Sequence, residues 1–188
     1  TGFNIHPGGA KDTMINAIAV ASEIQSLLPE AESPRNTEGY EGFYHLTSMS
    51  GDVAHAESEY IIRDHDAEKF AAKEENLRRI EKAMNEKYGE GTVKLEIKEQ
   101  YRNMAEKIRP CYHLIENAEE AARRAGMEPI ILPIRGGTDG ARLSFMGLPC
   151  PNLGTGGYAY HGPYEHITVE GMELTVAMLK ELVKIYAE

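Results

Sequence analysis

The spacing of apolar and polar positions predicts a regular order of helices and strands over the first hundred residues. Apolar side chains recur at helical spacing in residues 14–28 and 66–88, as in helices that pack one face on a core. Four other segments are short, carry apolar residues on one face and end in turn-forming residues, which is typical of strands. These segments are residues 1–6, 41–49, 55–64 and 92–100.

The order strand, helix, strand, strand, helix, strand predicts a ferredoxin-like α+β domain over residues 1–102, with two helices on one face of a four-stranded antiparallel sheet. Asp12 or Thr13 is expected to cap the first helix, because both side chains accept hydrogen bonds from helix N-termini. Ser50-Gly51-Asp52 is expected to turn between the two middle strands. Residues 92–100 alternate apolar with charged side chains, so they are expected to form a half-buried strand.

The pattern changes in residues 103–188, which contain helical spacing near 110–125 and 170–186 but few strand-like segments. Residues 129–134 are apolar throughout, as in a strand covered on both faces. One or two strands are too few for a sheet of normal size. The second half is therefore predicted to be the closing segment of an α/β domain whose first half lies upstream in a longer protein.

Composition and charge exclude several classes of protein. With 41% hydrophobic and 27% charged residues, the chain is expected to fold rather than to be disordered. A net charge of −10 argues against nucleic acid as a partner, because binding phosphates requires a basic surface. No apolar run approaches the roughly 18 residues needed to cross a membrane, and we expect the protein to have no signal peptide. We expect a cytoplasmic protein with reduced cysteines at Cys111 and Cys150.

Two glycine-rich turns in the last third of the chain each present one chemically capable side chain. His161 lies among glycines and a proline; neutral imidazole is a common metal ligand, and Glu165 could orient it by a hydrogen bond. A surface histidine in a polar loop is the alternative. Arg135 directly follows the apolar run and could bind a carboxylate or phosphate by two parallel hydrogen bonds. A structural salt bridge is the alternative there.

Two further candidates lie at the ends of predicted strands. Arg63 is followed by several acidic residues, so an ordinary ion pair is the alternative to ligand binding. His6 precedes Pro7 and Gly8, and by itself this pattern indicates only a turn that contains a histidine.

Six runs of residues, in a fixed order, resemble one enzyme family. They include Ile-His-Pro-Gly at residues 5–8, together with Met-Ile-Asn-Ala at residues 14–17, and Pro-Ile-Arg-Gly-Gly-Thr-Asp-Gly-Ala at residues 133–141. The others are residues 37–46, 60–64, 145–152 and 155–162. Together they resemble the M20 family of dinuclear zinc peptidases, and within it the bacterial tripeptide aminopeptidases of the peptidase T group. The resemblance covers essentially the whole chain.

The resemblance implies two domains and a set of partners. Residues 1–102 would be a ferredoxin-like lid, or dimerisation, domain, and residues 103–188 would be the C-terminal segment of the α/β catalytic domain. A homodimer formed through the lid and a missing N-terminal catalytic half are the protein partners that this arrangement implies. The implied substrate is a tripeptide.

The resemblance also implies roles for four residues. His161 would be a zinc ligand, and His6 would stabilise the oxyanion of the reacting carbonyl. Arg63 and Arg135 would hold the carboxylate at the C-terminus of the tripeptide. Two zinc ions in the full-length active site would activate a bridging water for hydrolysis.

Much of the family's catalytic machinery is absent from this chain. The upstream His-x-Asp motif, the bridging aspartate and the general-base glutamate have no counterpart here. The chain is therefore expected to contribute at most one zinc ligand and to be inactive alone. Two alternatives stay open: another M20 hydrolase, such as a carboxypeptidase or deacylase, and a non-catalytic oligomerisation or binding module.

Overall fold

The computed structural model describes residues 1–100 and 102–188, which separate into two compact units. The first unit contains residues 1–99 together with 133–136. The second unit contains residues 100–132 and 137–188. The short segment 133–136 therefore packs with the first unit although it lies far along the chain.

An antiparallel hairpin is the sheet of the first unit. Strands β1 (Phe43–Gly51) and β2 (Ala56–Arg63) pair from Phe43 opposite Arg63 to Gly51 opposite Ala56, with a register shift after Leu46. The turn between them is fixed by Asp52, whose carboxylate accepts hydrogen bonds from the backbone N–H groups of Ala54 and His55. These bonds lower the pKa of Asp52. The predicted hairpin is confirmed, but its turn begins later than predicted, because Ser50 and Gly51 still pair with Glu57 and Ala56 in the hairpin.

Two helices of the first unit begin at residues whose side chains accept hydrogen bonds from the first turn. Helix α1 (Ala17–Leu27) is capped by Asn16, and helix α2 (Ala67–Tyr88) is capped by Asp66. The predicted cap of α1 at residue 12 or 13 is wrong. Ile15 still pairs with Phe3 in an isolated β-bridge, so the chain becomes helical only after Asn16.

Both helices pack on the same face of the hairpin. The buried cluster contains residues from the end of α1, from β1 and from one side of α2. Its members are Leu28, Tyr44, Leu77, Ile80 and Met84. Glu23 of α1 joins the helices, because its carboxylate contacts Lys87 Nζ at 2.6 Å and accepts a hydrogen bond from the Tyr88 hydroxyl at 2.5 Å. The bonds from Lys87 and then Tyr88 lower the pKa of Glu23.

The four-stranded sheet expected for this unit is not present in the described residues. They show the two-stranded hairpin and the single bridge at Phe3. Residues 92–100 are not a strand. Val93 exchanges hydrogen bonds with the side chain of Asn85, and the N–H of Leu95 donates to Glu81. The sequence alternation therefore reflects alternate burial, while the backbone bonds to side chains of α2 instead of to a neighbouring strand.

The second unit is mainly helical. Its helices are α3 (Ala105–Ile108), α4 (His113–Arg124), α5 (Asp139–Phe145) and α6 (Val169–Ala187), and a minimal hairpin is formed by β3 (Gly157–Tyr158) and β4 (His166–Ile167). Helices α4 and α6 pack through Ala121, Ala122 and Met178. Arg124 of α4 links their ends by a hydrogen bond to Glu188, and it also bonds Glu120 within α4.

Large apolar side chains remain exposed in this unit. The predicted strand at residues 129–134 is not formed, and Ile130 and Leu132 are 76% and 72% exposed. Helix α6 also presents exposed apolar side chains: Val169, Met172, Leu174, Val176, Leu179, Val183 and Tyr186. None of the helices in the described residues combines the length and apolar character needed to cross a membrane.

Candidate functional site

Arg63 lies at the end of β2, directly opposite Phe43. Residues that face each other across an antiparallel pair project from the same side of the sheet, so Arg63 and Phe43 lie on one face of the hairpin. The neighbouring pair, Tyr44 and Ile62, points to the other face and contributes to the core. Arg63 Nη1 donates a hydrogen bond to the carbonyl of Ile62 at 2.9 Å.

Arg135 reaches the same ring from the distant segment 133–136. Its guanidinium carbon lies 5.2 Å from the centroid of the Phe43 ring, within the range of a cation–π contact. Arg63 and Arg135 are therefore both neighbours of Phe43. We refer to these three residues as the paired-arginine site.

Three hydrogen bonds hold the guanidinium of Arg135. Nη1 donates to the Thr37 carbonyl at 2.6 Å, and Nη2 donates to the Thr37 hydroxyl at 2.7 Å and to the Glu41 carbonyl at 2.9 Å. All three acceptors are neutral. The Glu41 carboxylate itself accepts from the N–H of Glu38. The structural salt bridge considered for Arg135 is thus not formed with any described residue.

Arg135 still has hydrogen-bonding capacity for an anion. A guanidinium has five N–H donors, and the three bonds leave Nε–H and one hydrogen of Nη1. Nε is buried and meets no acceptor in the described part of the chain. A partly buried cation bound only to neutral oxygens is stabilised by an incoming negative charge. The arrangement therefore suits a carboxylate or another anion.

Asp64, the acid that follows Arg63, is engaged by a lysine. Its side chain is 2% exposed and lies 3.6 Å from Lys73 Nζ, and it accepts a hydrogen bond from the N–H of Asp66. Lys73 also pairs with Glu32. The charge of the carboxylate nearest to Arg63 in sequence is therefore already balanced by Lys73.

His65 fixes the segment that carries Arg135. Its Nε2 lies 3.1 Å from the carbonyl oxygen of Ile134, and since a carbonyl only accepts, Nε2 is the donor. The imidazole also contacts Tyr40 edge-on, with ring centroids 5.1 Å apart. The contributions of His65, Thr37 and Phe43 were not predicted. In the sequence, the only indication of their role is that they lie in or next to the runs 37–46 and 60–64, which carry the family resemblance.

His6 makes a local contact in the structure. Its Nδ1 accepts a hydrogen bond from the N–H of Gly8 at 3.1 Å, at the start of the short 3-10 turn Pro7–Gly9. A neutral imidazole whose Nδ1 accepts carries its proton on Nε2. The exposed His6 side chain therefore has a donor available on Nε2.

His161 lies in the turn between β3 and β4 and is exposed. Its φ angle of 64° is in the left-handed region, which a residue other than glycine adopts at a cost. Glu165 supports this conformation by accepting a hydrogen bond from the His161 backbone N–H at 2.9 Å. The expected bond from Glu165 to the imidazole is thus replaced by a bond to the backbone.

The described residues do not form a complete metal site. They contain no group of three or more histidine, cysteine, aspartate or glutamate residues that could hold a metal ion. A catalytic zinc takes three protein ligands and a water, so the imidazole of His161 does not fit zinc without ligands from elsewhere.

Comparison with known proteins relates these features to a family. A model of the peptidase dimerisation domain of the M20 family matches residues 1–92. Peptidase T of Caldanaerobacter subterraneus is 52% identical over 187 residues, and peptidase T of Clostridium perfringens is 54% identical over the same length. The matches cover 100% of this chain and 46% of each relative. The chain is similar to peptidases of the M20 family, and the family model matches its dimerisation-domain segment. It spans about half the length of the curated relatives it matches.

Solved structures show the same fold as this chain. A tripeptidase from Staphylococcus aureus superposes with a TM-score of 0.65 at 19% identity, over 98% of this chain and 48% of that one. Aminopeptidase PepT from Bacillus cereus gives a TM-score of 0.59 at 21% identity, over 97% and 49%. The predicted mixed fold of helices and strands is thereby confirmed, and the predicted dimerisation domain is confirmed by the family model at residues 1–92.

Proposed function

We propose that this chain works as the C-terminal part of a zinc aminopeptidase that releases the N-terminal residue from tripeptides. Arg63 and Arg135 bind the carboxylate at the C-terminus of the peptide. The observation that carries this proposal is the paired-arginine site, where Arg63 pairs with Phe43 across the hairpin and Arg135, from a distant part of the sequence, contacts the Phe43 ring. The 52% and 54% sequence identity with two peptidase T sequences, over the whole chain, supports the choice of substrate.

The physical basis of carboxylate binding is charge and geometry. Guanidinium groups form short, charge-assisted hydrogen bonds to carboxylates and often bind both oxygens. Contact with Phe43 removes water from one side of the Arg135 guanidinium, and reduced water contact strengthens electrostatic attraction. A neutral amide in the place of the carboxylate would lose this attraction.

Binding of the C-terminus at a fixed place makes the length of the peptide important. A shorter peptide would reach either the arginines or the reacting groups but not both, and a longer one would have to bend. We infer that the arginines set the preference for tripeptides.

The two histidines have separate roles in this proposal. His6, with its proton on Nε2, donates a hydrogen bond to the oxyanion that develops on the scissile carbonyl. His161 contributes one imidazole to a pair of zinc ions whose other ligands belong to the rest of the peptidase. Zinc, when bound, lowers the pKa of water and polarises carbonyl groups.

The remaining half of the peptidase is proposed to cover the exposed apolar side chains of α6 and residues 130–132. Exposed apolar patches of this extent mark interaction surfaces in folded proteins. The dimerisation domain at residues 1–92 further supports a homodimer as the working form.

Product analysis tests the proposed reaction. The full-length peptidase containing this chain is expected to convert a tripeptide to its free N-terminal amino acid and a dipeptide, and to leave an N-acetylated tripeptide uncut. Mass spectrometry of the products checks this expectation. Release of the C-terminal residue would indicate a carboxypeptidase, cleavage of N-acyl amino acids a deacylase, and no cleavage a binding module. Each of these outcomes contradicts the proposal.

A further inference from the structure

The hydroxyl of Thr37 connects Arg135 to the backbone of the preceding turn. Thr37 Oγ1 donates its single hydrogen to the carbonyl of Ser33 at 2.9 Å and accepts a hydrogen bond from Arg135 Nη2 at 2.7 Å. These roles are unambiguous, because a carbonyl only accepts and a guanidinium only donates. The side chain of Thr37 is therefore held in one rotamer by its bond to Ser33.

Thr37 holds the guanidinium at two points. Its carbonyl accepts from Nη1 at 2.6 Å, while its hydroxyl accepts from Nη2. Contacts to both terminal nitrogens fix the rotation of the guanidinium in its own plane, and the Phe43 ring defines its face. The remaining N–H donor on Nε therefore points in one fixed direction.

The turn that carries Ser33 is itself well anchored. The N–H of Ser33 donates to the carbonyl of Glu30, and the side-chain amide of Asn36 donates to Glu30 and to the Ser33 hydroxyl. The short 3-10 turn Pro34–Asn36 lies between Ser33 and Thr37. Because Thr37 forms hydrogen bonds both to this turn and to Arg135, it fixes the guanidinium relative to the turn.

We propose that Thr37 is a positioning residue, which orients Arg135 for the C-terminal carboxylate of the substrate. The inference rests on the proposed function, since it assumes that Arg135 binds this carboxylate. Without the hydroxyl, the guanidinium keeps its charge and its bond to the Thr37 carbonyl but loses the contact at Nη2. Carboxylate binding is then weakened, while groups that act on the scissile bond are unaffected.

The test uses the full-length peptidase with Thr37→Val, which keeps the side-chain shape and removes the hydroxyl. The KM for a tripeptide is expected to rise about 10-fold, as for loss of one hydrogen bond to a charged group, with little change in kcat. The kinetic constants for the C-terminal amide of the same tripeptide should stay near those of the unchanged enzyme. Thr37→Ser keeps the hydroxyl and is expected to restore the low KM for the tripeptide.

Arg135→Ala, alone and combined with Thr37→Val, separates the inference from the proposed function. If Thr37 acts through Arg135, the double variant binds the tripeptide no more weakly than Arg135→Ala alone. Equal losses on tripeptide and amide in Arg135→Ala would overturn the proposed function, and with it the role of Thr37. A selective loss in Arg135→Ala without one in Thr37→Val would overturn only the role of Thr37.

Folding is checked by the thermal unfolding midpoint of each variant. A purely structural contact would lower that midpoint and reduce activity on both substrates equally, which would contradict the positioning role. If Thr37→Val does not accumulate as folded protein, Thr37→Ala removes the hydroxyl without introducing a second methyl group. The same pattern of KM values is then required of it.

Discussion

By itself, this 188-residue chain is expected to release no amino acid from a tripeptide and to bind zinc only weakly. His161 offers one imidazole, and no described cluster of three or more ligand residues could complete a metal site. A zinc ion with a single protein ligand is held far less tightly than one with three. Donors for an oxyanion, such as His6, have no reaction to accelerate without an activated nucleophile.

The purified chain, equilibrated with zinc and then dialysed, is assayed for metal content and for cleavage of a tripeptide. His161→Ala serves as the matched control for the single ligand. Retention of two zinc ions per chain, or turnover that approaches that of a full-length peptidase, would show that the chain contains a complete active site.

In the full-length peptidase, Arg135→Ala is expected to reduce kcat/KM for a tripeptide by about 30- to 1000-fold. This range corresponds to roughly 2–4 kcal/mol for removing one partner of a desolvated, hydrogen-bonded charge pair. The C-terminal amide of the same tripeptide should lose much less activity, because it has no negative charge for Arg135 to bind. Arg63→Ala is expected to change the two substrates in the same unequal way.

Arg78→Ala is the control for loss of an arginine. Arg78 is exposed on α2 and pairs with Glu74 one turn away, and exposed pairs of this kind contribute little. Its removal should leave both substrates nearly unchanged. If Arg135→Ala reduced cleavage of the tripeptide and of its amide to the same extent, carboxylate binding by Arg135 would be wrong.

The sequence predicted those elements of the first unit whose stabilising interactions are between residues close together in the chain. Helix α2 and the β1–β2 hairpin follow from apolar spacing and from turn residues, and these depend on neighbours close in the chain. The strand predicted at residues 92–100 was wrong for a physical reason. Alternation indicates which side chains are buried. It does not indicate which groups form hydrogen bonds with the backbone N–H and C=O groups, and here these are the side chains of Asn85 and Glu81.

The prediction of a strand at residues 129–134 was wrong for a related reason. A strand is stable only when another strand satisfies its N–H and C=O groups, and an apolar sequence does not supply that neighbour. The first helix began later than predicted because Ile15 pairs with Phe3. Pairings between segments of this kind are not visible in the local pattern.

The charged residues of the candidate site could be predicted from the sequence, but the residues that contact and position them could not. Arg63 and Arg135 were identified from their places after apolar runs and from the family resemblance, but periodicity could not show that Arg63 pairs with Phe43 and that Arg135 contacts the Phe43 ring. Thr37 and Glu41 contribute backbone carbonyls, which every residue possesses. No side-chain pattern distinguishes such contributions before the fold is known.

The most direct test of carboxylate binding by the paired-arginine site is a series of peptides of two, three and four residues that share their N-terminal sequence. The measurement is kcat/KM for each length, with the full-length peptidase and with Arg135→Ala. The unchanged enzyme is predicted to prefer the tripeptide, and Arg135→Ala to lose most of that preference because its tripeptide activity falls towards that of the other lengths. An undiminished preference for three residues in Arg135→Ala would contradict the proposal.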